Sequence, residues 1–377
     1  MRNVHMCPHT DTKFVQTGNQ KEEPTGAINP PVYFSTAYRH PGLGESTGFD
    51  YTRTGNPTRQ ALEKSIADIE GGEAGFAFSS GMAAIQTALS LFKQGDEIIV
   101  SEDLYGGTYR LFEHMKERYG LNFHYCDSKE LDNLTAYIND QTKAIYIETP
   151  TNPLMHTTDI REVSKLAKAH DLLLLVDNTL YTPVLQKPLE EGADVVIHSA
   201  TKYLAGHNDV LAGILVSKGK QVNETLEFHQ NTSGAVLSPL DSWLLMRGMK
   251  TLPLRMRQHE TNAKAVVDYL KEHPAVTDVF YPGRGGMISF RLQHEQWIDP
   301  FLRSLNLICF AESLGGVESF ITYPATQTHA DIPEEIRTGY GVCNRLLRFS
   351  VGIEHIDDLL EDLEQTLSSL LKEEIAQ

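Results

Sequence analysis

The chain has 377 residues, 41% apolar and 22% charged. That is the composition of a soluble globular protein, and the length exceeds what one compact core can hold, so two or three domains are expected. A formal charge of −17 argues against nucleic acid or an anionic membrane as the main partner. No run reaches the roughly 20 apolar residues of a membrane span, and the N-terminus lacks the basic-then-apolar order of a secretion signal. Cys7, Cys126, Cys309 and Cys343 share no paired spacing, which points to a reduced, cytoplasmic protein. Cys7 lies between His5 and His9 but no second ligand pair follows, so no metal site is expected.

Residues 1–50 are irregular and rich in proline and glycine, the pattern of an extended arm that lies on a neighbouring subunit. Tyr51-Thr52-Arg53 then sets an aromatic two residues from a fixed cation, which on spacing alone is an exposed polar turn or a phosphate grip. Pro57 and Thr58 open a helix that carries Leu62, Ile66 and Ile69 and stops at Gly71-Gly72. From Ala74 strands and helices alternate. Ala74–Phe78 runs into Ser79-Ser80-Gly81-Met82 and a helix, and a strand, a small-residue turn and a helix N-terminus together suit an anion. Ile98–Val100 leads to Tyr105-Gly106-Gly107, where Tyr105 is either core or site. Ala144–Glu148 leads to Thr149-Pro150-Thr151-Asn152-Pro153, whose prolines pin the loop that carries Asn152.

Leu172–Val176 is five apolar residues in a row, an inner parallel strand, and it ends in Asp177, a carboxylate that is costly to bury unpaired. Val195–Ile197 is another buried strand and breaks into Ser199-Ala200-Thr201-Lys202. A lysine just past such a strand sits where open α/β sheets do their chemistry. The 25 residues between Asp177 and Lys202 suffice for a strand–crossover–strand unit that puts both on one edge. Further on, Ser238-Pro239 starts a helical run and Arg247–Leu252 begins a connection to a smaller part of the chain. Arg348 interrupts the apolar strand 346–351 and needs an anion, from the protein itself or from a ligand. A leucine stripe at Leu359, Leu363 and Leu367 marks a final amphipathic helix.

The run Asp194–Asn208, DVVIHSATKYLAGHN, resembles the cofactor attachment site of the Cys/Met metabolism (trans-sulfuration) family of pyridoxal-phosphate enzymes. The likeness extends over residues 20–370 through Tyr51–Arg53, Ser80–Met82, YGGT, TPTNP, RGMKTL and the glycine-rich stretch Glu312–Ser319. The family implies an α/β, aspartate aminotransferase-like fold of type I, with a mainly parallel seven-stranded sheet and a smaller α/β C-terminal domain. We divide the chain accordingly into an arm (1–50), a cofactor domain (51–245) and a substrate domain (246–377).

Carried over residue by residue, the resemblance makes Lys202 the lysine that carries pyridoxal 5'-phosphate, and Asp177 the partner of its ring nitrogen. Tyr105 becomes the ring-stacking aromatic and a helper in deprotonation. Gly81, Met82, Ser199 and Thr201 hold the phosphate, and Tyr51 and Arg53 reach it from the neighbouring subunit. Asn152 reaches the cofactor's phenolic oxygen, and Asn152, Glu312, Ser313 and Arg348 bind the amino-acid substrate. A homo-oligomer with shared sites follows, at least a dimer and by family a tetramer.

By the resemblance, YGGTYR looks most like γ-synthases, Gly107 in place of a cysteine counts against methionine γ-elimination, and Glu312 before Ser313 counts against β-elimination, which together imply γ-replacement on an O-acylhomoserine by cysteine, or by sulfide. γ-Elimination is the alternative within the family, and a non-catalytic cofactor-binding protein the alternative outside it. One departure is a shortened stretch at Gly283, where many relatives carry a longer loop, so the local surface there is left open.

Overall fold

The computed structural model describes residues 8–19 and 25–375. His5 and Cys7 lie outside the described residues. Seven strands form the larger sheet: β1 (Ala74–Phe78), β2 (Glu97–Ser101), β3 (Asn122–Cys126), β4 (Thr142–Glu148), β5 (Leu173–Asp177), β6 (Val195–Ser199) and β7 (Gly213–Ser217). Their order is β1-β7-β6-β5-β4-β2-β3. The neighbours from β6 through β3 are parallel, and β7 alone runs against both of its neighbours. The expected mainly parallel seven-stranded sheet is therefore present. Its inner strands read as unbroken apolar runs because both faces are covered, by one apolar cluster around Ile66, Val176 and Val196 and another around Phe112, Leu175 and Ile197.

The second sheet is built from β8 (Val276–Phe280), β9 (Met287–Leu292), β10 (Cys309–Phe310), β11 (Phe320–Thr322) and β12 (Leu346–Ser350), in the order β10-β11-β12-β9-β8. Only β10 and β11 pair in parallel. Helix Ile356–Ile375 lays Leu359, Leu363, Leu367 and Leu370 on this sheet's core, the stripe read from the sequence. The 21-residue helix Leu252–Glu272 joins the two halves. Leu252 and Met256 belong to the first core, whereas Ala263, Val266 and Leu270 belong to the second. We propose that the domain junction runs along this helix.

Three helices of the first half frame the carboxyl edge of the larger sheet and the arm beside it. α2 (Pro57–Glu70) is capped by Asn56, whose side chain accepts from the N–H groups of Thr58 and Arg59, and it ends on Gly71 at φ 73°. α3 (Gly81–Leu89) and α4 (Gly106–Tyr119) begin at the carboxyl ends of β1 and β2.

The N-terminal segment is less uniformly extended than its composition suggests. α1 (Thr10–Val15) fully buries Phe14, Lys13 pairs with Asp68 at 2.9 Å, and Arg257 pairs with Asp11 at 2.9 Å. A single apolar anchor is too weak a periodic signal to stand out in the sequence. From residue 27 to residue 50 the chain does lack regular elements, and it exposes Ile28, Phe34 and Leu43.

The shortened stretch at Gly283 closes as a hairpin between β8 and β9. Gly283 and Gly285 take φ of 82° and 77°, and Tyr281 Oη donates to the Gly285 carbonyl at 3.0 Å. The hairpin is seated on the first half, because Arg284 donates to the Leu185 carbonyl and its guanidinium lies 5.2 Å from the centre of the Tyr181 ring. Among the described residues no helix is long and apolar enough to cross a membrane.

Candidate active site

β4, β5 and β6 point their carboxyl ends the same way, and Asp177 stands opposite Glu148 on one side and Ile197 on the other. Lys202 follows three residues after β6 ends. One cavity at this edge is lined by Gly81, Met82, Tyr105, Asn152, Asp177, Ser199, Thr201 and Lys202, and by Glu312, Ser313 and Arg348 from the second half of the chain. Sequence reasoning thus assembled one site from seven separate segments. Tyr51 and Arg53 are the two it does not bring there. Tyr51 is exposed, and Arg53 donates to the backbone carbonyl (2.5 Å) and side-chain oxygen (3.0 Å) of Asn231.

The floor of the cavity carries an acid and an amine in unusual states. Asp177 is buried, accepts from the Thr179 N–H at 3.0 Å and the Tyr146 hydroxyl at 3.5 Å, and has no ion-pair partner among the described residues. Burial raises its pKa. Lys202 Nζ donates to Ser313 Oγ at 3.2 Å. Desolvation, with the charge of Arg348 adding to it, brings this amine down to about 8. A lysine in that range is a far better nucleophile at neutral pH than an exposed one.

Beside them is an anion seat. Ser80 caps α3 with its side chain on the Ala83 N–H and its carbonyl on the Ala84 N–H, both at 3.1 Å. The first two helical N–H groups, of Gly81 and Met82, are left for the cavity. A Cβ at Gly81 would come within 2.9 Å of the Ser199 Cβ, so the close approach requires glycine. Ser199 lines the cavity with its hydroxyl unengaged, whereas Thr201 Oγ1 exchanges bonds with the Ala212 N–H (3.0 Å) and carbonyl (3.2 Å). To serve an anion as well, the Thr201 hydroxyl would have to leave the Ala212 carbonyl.

Arg348 decides between the two readings its position allowed. It is 2% exposed. Nη1 donates to Asn152 Oδ1 at 3.0 Å, and Nη2 donates to the Ser313 carbonyl at 2.9 Å and Thr322 Oγ1 at 3.0 Å. All three acceptors are neutral, Nε has no partner, and no carboxylate among the described residues pairs with it. Burial lowers this guanidinium to about 10. A buried cation with no carboxylate bonded to it and an orphan N–H is not half of an internal salt bridge, and its free N–H could receive an anionic group.

Tyr105 precedes α4 and faces the same space. Burial and the nearby Glu312 raise its pKa. That favours a protonated phenol, and it works against the expectation that Tyr105 takes a proton from an incoming amine or thiol. Two further carboxyl groups were missed. Glu148 lines the cavity and accepts the Tyr105 N–H at 3.0 Å, and burial with Asp177 close by pushes its pKa well up. Asp103, two residues before Tyr105, is 2% exposed. Glu148 carries the mark that singled out Asp177, a carboxylate ending a buried apolar strand.

These features fit pyridoxal phosphate. A buried acid without a cation suits a pyridinium N–H, a depressed lysine suits an aldehyde, and free helix N–H groups suit a phosphate. The fold and the cavity thus define a class, the pyridoxal-phosphate enzymes of fold type I. Narrowing the class, the profile of the Cys/Met metabolism PLP-dependent enzymes matches residues 11–368, and the chain belongs to that family. Its cofactor is pyridoxal phosphate, and it is an enzyme of cysteine and methionine metabolism of the cystathionine synthase and lyase kind.

Among relatives, the chain is 65% identical to the cystathionine γ-synthase/O-acetylhomoserine (thiol)-lyase of Bacillus subtilis, over 96% of this chain and 97% of that one. It is 58% identical to the cystathionine γ-synthase of Haemophilus influenzae, over 96% and 98%. Among solved structures, the cystathionine γ-lyase of Lactobacillus plantarum, complexed with L-serine, superimposes with a TM-score of 0.93 at 46% identity, covering 96% of this chain and 99% of that one. The cystathionine γ-synthase of Xanthomonas oryzae, in complex with cystathionine, gives 0.94 at 38% identity, covering 96% and 98%.

Proposed function

We propose that this enzyme carries out γ-replacement, joining cysteine to an O-acylhomoserine to give cystathionine, with sulfide as an alternative nucleophile giving homocysteine. The observation that carries the choice is the likeness to the Bacillus subtilis and Haemophilus influenzae enzymes named for γ-synthase activity. Gly107 adds support: a Cβ there would overlap the edge of the Tyr105 ring, so a cysteine at this position would displace the ring. γ-Elimination from cystathionine is the second reading, favoured by the Lactobacillus plantarum likeness.

Bound in the cavity, pyridoxal phosphate supplies the electron sink that lets a substrate lose its Cα proton. In this reading Asp177 pairs with the ring N–H, and the Gly81 and Met82 amides hold the phosphate together with the Ser199 hydroxyl and Thr201. Tyr51 and Arg53 reach that phosphate from the neighbouring subunit. Their absence from the chain's own cavity supports this, as do the exposed apolar side chains Ile28, Phe34 and Leu43 on the arm. We propose a homo-oligomer for these reasons, a tetramer by analogy with the family. Tyr105 offers an aromatic face to the ring. Arg348 and Asn152 grip the substrate α-carboxylate in a planar fork. Lys202 would hold the aldehyde, and its free amine would take the proton at Cα, deliver it to the cofactor side, and only then accept one from Cβ. Ser313 orients Lys202 Nζ, and Glu312 at the cavity mouth attracts the ammonium group of an incoming amino acid. A cytoplasmic setting is supported by the free thiols of Cys126, Cys309 and Cys343.

Incubation with O-acetyl- or O-succinylhomoserine, with and without cysteine, tests this reading against cystathionine alone. Cystathionine should accumulate only when both substrates are present. Rapid breakdown of cystathionine without any γ-replacement would establish the lyase instead.

A further inference from the structure

The loop after β2 carries Tyr105, and the loop after β4 carries Asn152. Two buried carboxyl groups join these loops, one from each side. Asp103, in the first loop, accepts on Oδ2 from the Thr151 hydroxyl and from the Leu154 N–H at 3.2 Å, both in the second loop. Glu148, at the root of the second loop, accepts the Tyr105 N–H at 3.0 Å in the first, and the Asn152 N–H is near enough to lower its pKa. The two groups are 2% and 5% exposed. No lysine or arginine among the described residues pairs with Asp103, and His156, whose pKa burial lowers, has its Nδ1 3.9 Å from Oδ2, beyond hydrogen-bond range.

Burying two acids so close together is costly unless their bonds repay it. The bonds they make are all between the two loops or at their roots. Asp103 Oδ1 has no partner, while Oδ2 takes both donors. Burial pushes this acid up to about 7. Downstream, Asn152 Oδ1 is the acceptor for Arg348.

We propose that Asp103 and Glu148 form a reciprocal carboxyl clamp, a pair of positioning residues that fixes the Tyr105 ring relative to the Asn152–Arg348 grip. The cofactor face and the substrate carboxylate seat are then held in register by one device. This inference rests on reading Asn152 and Arg348 as the carboxylate grip.

The test uses Thr151→Val, which removes one donor at nearly constant volume, beside Thr151→Ser, Asp103→Asn and Arg348→Lys. In the holoenzyme, KM and kcat are measured with whichever of O-acetylhomoserine or cystathionine is turned over. Amide hydrogen exchange of residues 102–106 and 149–156 is followed in both the holoenzyme and the cofactor-free protein. Thr151→Val should raise KM about fivefold or more, as for a lost bond to a carboxyl group, and should speed exchange in both loops. Thr151→Ser keeps the donor and should stay near wild type, whereas Asp103→Asn places an unpaired amide N–H at the partnerless oxygen's position and should behave like Thr151→Val. Faster exchange confined to 149–156, or equal damage in the Val and Ser variants, would overturn the clamp. So would an unchanged KM in Thr151→Val while Arg348→Lys raises it. An unchanged KM in Arg348→Lys would overturn the carboxylate grip instead.

Discussion

Lys202 shows how burial rather than identity makes a residue reactive. An exposed lysine is almost wholly protonated at neutral pH, and its amine cannot attack an aldehyde. Here the cavity wall removes water and Arg348 adds a second positive charge, so the ammonium form is disfavoured and the amine sits at about 8. The sign is that of a lowered base: below that value Lys202 is protonated and inert, and above it the amine is free. Capture of pyridoxal phosphate by the cofactor-free protein should therefore speed up through about pH 8, not through the ordinary lysine value of 10.5. The growth of visible absorbance after mixing, followed across pH, reads this directly. Lys202→Ala should give no such absorbance. Arg348→Met, by removing the neighbouring charge, should move the midpoint upward; a midpoint that stays put would assign the shift to desolvation alone.

At the scale of elements, the phosphate seat depends on how closely α3 approaches β6. Gly81 lies where a side chain would meet Ser199 backbone and Cβ at 2.9–3.1 Å. Gly81→Ala should force the first turn of α3 away from Ser199 and weaken cofactor affinity at least tenfold, about 1.4 kcal/mol in binding. Fluorescence titration of the cofactor-free protein checks this. Affinity equal to wild type would show that the turn does not hold the phosphate.

The same scale explains what the sequence disclosed. Asp177 and Lys202 stood out because apolar runs, Leu172–Val176 and Val195–Ile197, preceded them, and the parallel-sheet rule then put both on one edge. Arg348 stood out as a cation in an apolar strand. Of the clamp acids, Glu148 carried the same local mark, a carboxylate ending an apolar strand, but Asp103 carried none, since its worth lies in donors from another loop. α1 was hidden for a similar reason: its one buried side chain, Phe14, has meaning only against the core that receives it. Thr201 enters as a phosphate ligand through the resemblance; its hydroxyl exchanges bonds with Ala212, eleven residues on, and would have to leave that carbonyl to serve a phosphate.

At the scale of the whole molecule, one chain lines the cavity at the carboxyl edge of its larger sheet, and the Tyr51–Arg53 pair lies away from it. Arg53 lies against Tyr51, 5.6 Å from the ring centre, on an exposed surface that continues into the arm. If the arm lies on a second copy, each cavity takes Lys202 from one subunit and Arg53 from the other. That arrangement has a consequence which a site contained in a single chain cannot mimic. Arg53→Ala and Lys202→Ala should each be poorly active alone. When the two variants are dissociated, mixed in equal amounts and reassembled, half of the dimers are hybrids by random pairing. In every hybrid one cavity carries both lesions and the other carries none. Activity should then return to about a quarter of wild type for freely mixing dimers. Were both residues to serve the cavity of their own chain, every hybrid cavity would carry one lesion and mixing would restore nothing.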